Sequence, residues 1–202
     1  MLIEDVIGIN TGIGVPELLA LRSECSQFLR EAASLPLLKA LPTSNVGFRR
    51  VKVRQRKGRD NVAEVFDRAF SERCTNLRQR SVFAYPTPPL ITENTELYYI
   101  FPINGYKCLY SKEVTNSGYA YSEVIDTLFE QFSDTDTAVE IVTDLLKYTY
   151  TTENLHAGMA SGSEIILYGI PYYYAVRAAA ITGYNTLVSS TILTHKGFSN
   201  VI

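Results

Sequence analysis

The chain has 202 residues, 46% of them apolar and 20% charged, with a net charge of −2 at neutral pH. This composition is that of a soluble globular protein, and the length fills one domain, or one domain with an appended helix. No apolar run reaches the ~18 residues of a membrane span, and the start, M-L-I-E-D-V-I-G, has an early acidic pair in place of the basic region of a secretory signal.

Three scattered cysteines, Cys25, Cys74 and Cys108, show no C-x-x-C spacing. They point to reduced thiols in a cytoplasm rather than to a disulfide framework or a zinc site. The small net charge hides an asymmetry. Between Arg49 and Arg80 lie eleven of the nineteen Lys/Arg residues against four acids, so the remainder holds eight basic and seventeen acidic residues. A basic segment on an acidic body suggests a localised anion-binding face.

In chain order, residues 1–13 are Gly-rich and carry no clear pattern. A helix is predicted from Val15–Pro16, with Leu18, Leu19, Leu21, Cys25, Phe28 and Leu29 at three-to-four spacing and Pro36 marking its end. From Gly47 to Arg54, Phe48, Val51 and Val53 alternate with basic residues and predict a strand with a cationic outer face. After the turn Lys57–Asp60, a helix capped by Asp60 or Asn61 runs to about Cys74, with Val62, Val65, Phe66, Ala69 and Phe70 on one face and Arg68 and Arg73 outward. Residues 80–85 read as a short strand, followed by an extended Pro-rich surface loop.

Leu97–Ile103 and Tyr106–Tyr110 read as a β-hairpin through Asn104-Gly105. A helix after Ser122 (Val124, Ile125, Leu128, Phe129, Phe132) and another capped by Asp134 or Asp136 (Val139, Ile141, Val142, Leu145, Leu146) form an acidic helical hairpin. The polar loop Thr149–Ser161 leads into S-E-I-I-L-Y-G-I-P-Y-Y-Y-A-V, the most apolar run of the chain. It reads as two buried strands, Glu164–Tyr168 and Tyr172–Val176, broken by Gly169 and Pro171. Thr186–Thr194 is predicted as a last strand. Together these give one α+β domain over 1–202, a helical segment 1–44 preceding an α+β core 45–202, with a mixed, mainly antiparallel β core and flanking helices.

A metal site is not expected, because His156 and His195 are far apart and neither pairs with a carboxylate at ligand spacing. Neither G-x-G-x-x-G nor G-x-x-x-x-G-K-[ST] occurs. A carboxylate at the head of a buried strand, Glu164, has to be solvated, paired or used.

One ordered set combines Phe48-Arg49 on an early strand, Arg80-Ser81-Val82-Phe83-Ala84 on a second, and Glu164 heading a late one. Its order and spacing over about residues 45–194 resemble the arginine, serine and glutamate elements of mono-ADP-ribosyltransferases, small phage-encoded ones included. In that family the Glu-headed strand continues as an apolar run, a Gly/Pro turn and a second apolar strand, as E-I-I-L-Y-G-I-P-Y-Y-Y-A-V does. The resemblance implies a split-sheet fold, NAD as substrate, no metal, and a cytoplasmic location, the host's for a phage-encoded chain. It implies that Arg49 holds the NAD pyrophosphate or ribose, that Ser81 positions the nicotinamide ribose and Glu164, and that Phe83 or an aromatic near Tyr172 walls the nicotinamide. Glu164 would stabilise the oxocarbenium-like transition state. Arg50 replaces the small residue usual after the arginine, and Ser81 lacks the family's Ser-Thr-Ser setting. Gly162 stands where arginine-modifying members carry a second carboxylate, which leaves nucleic acid, another protein side chain or water as the acceptor.

The alternative is a non-catalytic nucleic-acid- or protein-binding module that uses the basic segment 49–80. There Arg49, Lys52, Arg54, Arg56, Lys57 and Arg59 would follow a phosphate backbone. A third reading is a structural or inhibitory protein that works through the acidic helical hairpin 122–148.

Overall fold

The computed structural model describes residues 13–32, 34–53, 61–71, 77–78, 80–131, 135–152 and 154–193. Their architecture is α+β. Among the described residues seven strands form two sheets, and every strand pair is antiparallel, in keeping with the mainly antiparallel core expected from the sequence. None of the described helices is long and apolar enough to cross a membrane. The chain divides into two compact units that interleave in sequence.

The first unit takes the described residues up to Lys52, Tyr85–Gly105 and those from Ile170 onward. Its four strands, β1 (Leu38–Pro42), β2 (Phe48–Lys52), β4 (Thr95–Pro102) and β7 (Tyr172–Arg177), lie in the order β1-β4-β7-β2. Helices α1 (Val15–Glu24), α2 (Ser26–Glu31) and α7 (Tyr184–Leu193) complete it. Alternation along β4 puts Tyr99 and Phe101 on one face. There Phe28 meets Phe101 edge-on at 5.7 Å, and Tyr184 lies over Tyr99 and Phe101 at 5.1 and 6.1 Å.

The second unit takes Val53–Ala84 and Tyr106–Gly169. Strands β3 (Val82–Ala84), β5 (Lys107–Leu109) and β6 (Ile165–Tyr168) lie in the order β3-β6-β5. They pair with helices α3 (Asn61–Ala69), α4 (Ser117–Gln131), α5 (Thr135–Thr149) and α6 (Leu155–Ala160). Phe66 anchors the core, its ring set against Tyr121 and Tyr150 at 5.9 and 5.6 Å in edge-to-face pairs.

Several elements depart from the sequence reading. The first helix breaks at Cys25, whose backbone leaves the helical region (φ −117°, ψ 20°) and whose thiol donates to the Phe101 carbonyl at 3.5 Å. Residues expected to be helical before position 45 include β1. Asn104-Gly105 makes a turn but no hairpin, since β4 and β5 join different sheets. Asn104 is engaged elsewhere: its Oδ1 accepts from the Gln27 N–H at 2.9 Å and its Nδ2 donates to the Ser23 carbonyl at 3.0 Å. Thr186–Thr194 was read as a strand, but the described part is the helix α7, with Leu187, Val188 and Thr191 buried at helical spacing. The fourth helix starts at Ser117 rather than Ser122. A short helix, α6, occupies the loop before β6, capped by Asn154, which accepts from the Ala157 N–H.

Packing around α6 gives a sharp test. A Cβ on Gly158 would lie 2.7 Å from Cδ1 of Tyr110. That ring is 1% exposed, and its backbone is fixed by two hydrogen bonds with Thr151, at 3.0 and 2.8 Å. Gly158→Ala is expected to cost about 1–3 kcal/mol in chemical denaturation, as overpacked cores do. Gly183→Ala, whose Cβ would meet only Thr186 Oγ1 at 3.9 Å, is expected to stay within about 0.5 kcal/mol of the parent.

Candidate functional site

The two-residue period of β6 decides where Glu164 goes. Ile166 and Tyr168 point into the core of the second unit, so Glu164, on the same face just before the strand, enters with them and is only 4% exposed. A buried carboxylate needs donors. They come from the start of α4: the Ser117 N–H and hydroxyl both reach Glu164 Oε1, at 3.3 and 2.5 Å. The Glu164 N–H in turn donates to the Thr115 carbonyl at 3.1 Å. The carboxylate thus caps α4 from a strand 47 residues away, where unpaired N–H groups and the helix dipole both favour an anion.

Behind Ser117 stands Arg78. Its Nη1 donates to the Ser117 hydroxyl at 2.9 Å, and its backbone N–H donates to Asp67 Oδ1 at 2.9 Å. The guanidinium lies 5.2 Å from the Phe66 ring centre and 5.1 Å from that of Phe83. Tyr150 closes the group. Burial pushes its phenol well above the ordinary value, the nearby Tyr121 and Glu164 add to this, and Arg78 and a bond to Ser117 oppose it. The result is a Glu164–Ser117–Arg78 chain, buried at Glu164 and Ser117 and half-buried at Arg78, with Tyr150 against it.

Ser81 is not part of that chain. Its hydroxyl donates to the Leu77 carbonyl. With Val82 opposite Leu167, Ser81 falls at the Tyr168 end of the β3–β6 ladder, about 13 Å along the strand from Glu164. The hydroxyl beside Glu164 is that of Ser117. Phe83 is a buried core residue under Arg78 rather than an open wall. Neither Ser117 nor Arg78 belonged to the sequence-predicted site. The available signal was the polar run Thr115-Asn116-Ser117 ahead of a helical apolar pattern, which marks a helix start in need of acceptors.

Arg49 and Tyr172 belong to the first unit. On β2, Arg49 donates from Nη2 to the Pro42 carbonyl at 3.1 Å and lies 4.3 Å over the buried Tyr98 ring. Its Nε and the Tyr98 hydroxyl are both buried, with no hydrogen-bond partner among the described residues. Burial pushes the Tyr173 phenol up to about 12, with the Arg49 charge opposing. Tyr172 donates to Glu24 Oε2 at 2.6 Å under the Arg50 guanidinium, 3.5 Å above its ring, while Tyr174 donates to Glu24 Oε1 at 2.9 Å. The Tyr172 bond is the main reason the Glu24 carboxyl lies below its ordinary value; burial opposes it, and Tyr174 and Arg50 add to it. Lys52 stands exposed on β2. Arg54, Arg56, Lys57 and Arg59 lie outside the described residues.

The chain matches no protein-family model, no curated protein and no solved structure.

Two measurements check these assignments. Ser117→Ala takes the hydroxyl from both Glu164 and Arg78, and is expected to cost about 1–3 kcal/mol in urea denaturation because both partners stay behind. Tyr172→Phe should move the Glu24 titration upward, read from its side-chain carbon shifts by NMR. The sign follows from the depressed folded value: the bond contributes fully above the unfolded carboxylate pKa and is lost as pH falls through the folded one. The variant should therefore lose less stability than the parent between about pH 5 and about pH 3.

Proposed function

We propose that the chain is an NAD-consuming enzyme of the mono-ADP-ribosyltransferase type, with Glu164 as its essential carboxylate. The observation that carries this reading is the state of Glu164: a carboxylate at the head of β6, buried and held at Oε1 by two donors of Ser117. An acid that must face a developing ribosyl cation has to be held in place before the reaction, and a carboxylate pinned by a helix start meets that need. Two antiparallel sheets, with β6 leading through Gly169–Pro171 into β7, also suit it.

In this reaction the bond between ribose C1′ and the nicotinamide nitrogen breaks, and its electron pair leaves with the neutral nicotinamide. Glu164 supports the positive charge left on the ribosyl group. An acceptor nucleophile, on a nucleic acid, a protein side chain or water, then bonds to C1′ and gives up its proton. Ser117 and Arg78 act through Glu164, as positioning residues.

A second reading, nucleic-acid binding without catalysis, is favoured by Arg50 and Lys52, which stand exposed on the edge strand β2. Both are tested by incubating the protein with NAD, alone and with protein and nucleic-acid fractions of a cell extract, and measuring released nicotinamide. Release is expected, with Glu164→Gln slower by about 10²–10³-fold. Glutamine keeps an acceptor for Ser117, so an unchanged melting temperature separates lost chemistry from lost fold. No release under any of these conditions, or equal release by the variant, would falsify the enzyme reading. Salt-sensitive retention of single-stranded RNA without nicotinamide release would support the second.

A further inference from the structure

Helix α5 carries two apolar stripes. Val139, Val142 and Leu146, at i, i+3 and i+7, are buried in the core of the second unit. Ile141, Leu145 and Tyr148, at i, i+4 and i+7, share a different face and stand 46%, 44% and 90% exposed. A single exposed apolar residue needs no explanation, but a helical row of three, ending in a tyrosine almost wholly in solvent, marks a contact surface.

The charge around this row defines what fits it. Glu140 and Asp144 are exposed and, by helical spacing, run along one edge of the stripe. Residues 122–153 hold eight Asp/Glu against one basic residue, Lys147. The unit already uses this acidity once: Arg68 of α3 donates to Asp136 of α5 at 2.9 Å and to Glu64 at 3.3 Å.

We propose that the exposed face of α5 docks a basic amphipathic helix of a partner protein, apolar at i, i+4 and i+7 and flanked by Lys or Arg. The row is a ridge of residues four apart, which packs into the groove of another helix. The acidic edge selects a basic flank by complementarity of charge. A second copy docking through the same face would oppose its own row of acids, with Lys147 as the only basic group of that stretch to offset them. Nucleic acid and anionic lipid surfaces are repelled for the same reason. The proposal does not depend on Glu164 or on NAD.

The test uses the full chain and two labelled synthetic helical peptides with the same leucine pattern, one with Lys and one with Glu at every polar position. Fluorescence anisotropy should show binding of the Lys peptide, weakened by added salt, and none of the Glu peptide. Leu145→Ser with Tyr148→Ser, or Glu140→Lys with Asp144→Lys, should each weaken binding by about tenfold or more. These side chains are largely in solvent, so unchanged circular dichroism is expected throughout. The idea fails if the two peptides bind equally, if neither binds, or if the variants bind the Lys peptide as the parent does. It also fails if the parent self-associates and Leu145→Ser removes that self-association, since the face would then belong to a second copy.

Discussion

A strand that turns every second residue inward cannot choose which of them is charged. The β3–β6–β5 ladder fixes the face of Ile166 and Tyr168, and with it that of Glu164. A carboxylate carried inside without donors would cost several kcal/mol. The start of α4 has the opposite problem, since its first N–H groups have no acceptor within the helix. Joining the two satisfies both. It also ties a strand to a helix that begins 47 residues earlier, and it leaves the Ser117 hydroxyl placed to take the Arg78 guanidinium as well. The tie is a structural cap, and the same geometry holds the carboxylate in one place. Burial that is costly for folding is also what makes a carboxylate effective in catalysis, because charge is stabilised by groups that need not reorganise.

The sequence made the strongly patterned elements legible. The apolar run around Glu164 does form two strands, α3 buries Val65, Phe66, Ala69 and Phe70 as its periodicity requires, and Arg68 faces outward. Glu164 was visible as an anomaly because a charge stood where the pattern demanded an apolar residue. Its partners were not visible. Ser117 and Arg78 reach it through tertiary contacts, and nothing local in S-K-E-V-T-N-S-G names a carboxylate 47 residues on. Ser81 is the serine the resemblance points to, yet it stands just before β3, and the antiparallel register sets it opposite the Tyr168 end of β6. The run T-L-V-S-S-T-I-L misled for a different reason. Its residues favour strands, but Leu187, Val188 and Thr191 find their burial as a helix, and packing overrides propensity.

Two turns share a further lesson. Asn104-Gly105 reads as the bend of a hairpin, and Gly169-Ile170-Pro171 as a break between two buried strands. Each contains a glycine in the left-handed region, Gly105 at φ +87° and Gly169 at φ +81°. Both bends exist, but the strands on either side belong to different sheets. A turn signal reports that the chain reverses; pairing depends on where the flanking strands find partners, and here β4 pairs with β1 and β7 while β5 pairs with β6. Both glycines also stand where the chain passes from one compact unit to the other.

Helix α5 raises the opposite question, of residues that the fold does not need. Val139, Val142 and Leu146 are its residues in the core of the second unit. Ile141 and Leu145 leave nearly half of their surface in water and Tyr148 almost all of its own, and that exposed area returns no free energy on folding. They also carry a liability, because exposed apolar rows invite indiscriminate association. The surrounding acids answer it: a field of one sign keeps like copies and polyanions apart. That same field leaves one class of approach open. A cationic helix is attracted where an anionic one is turned away, so the charges that protect the row are also those that choose what covers it.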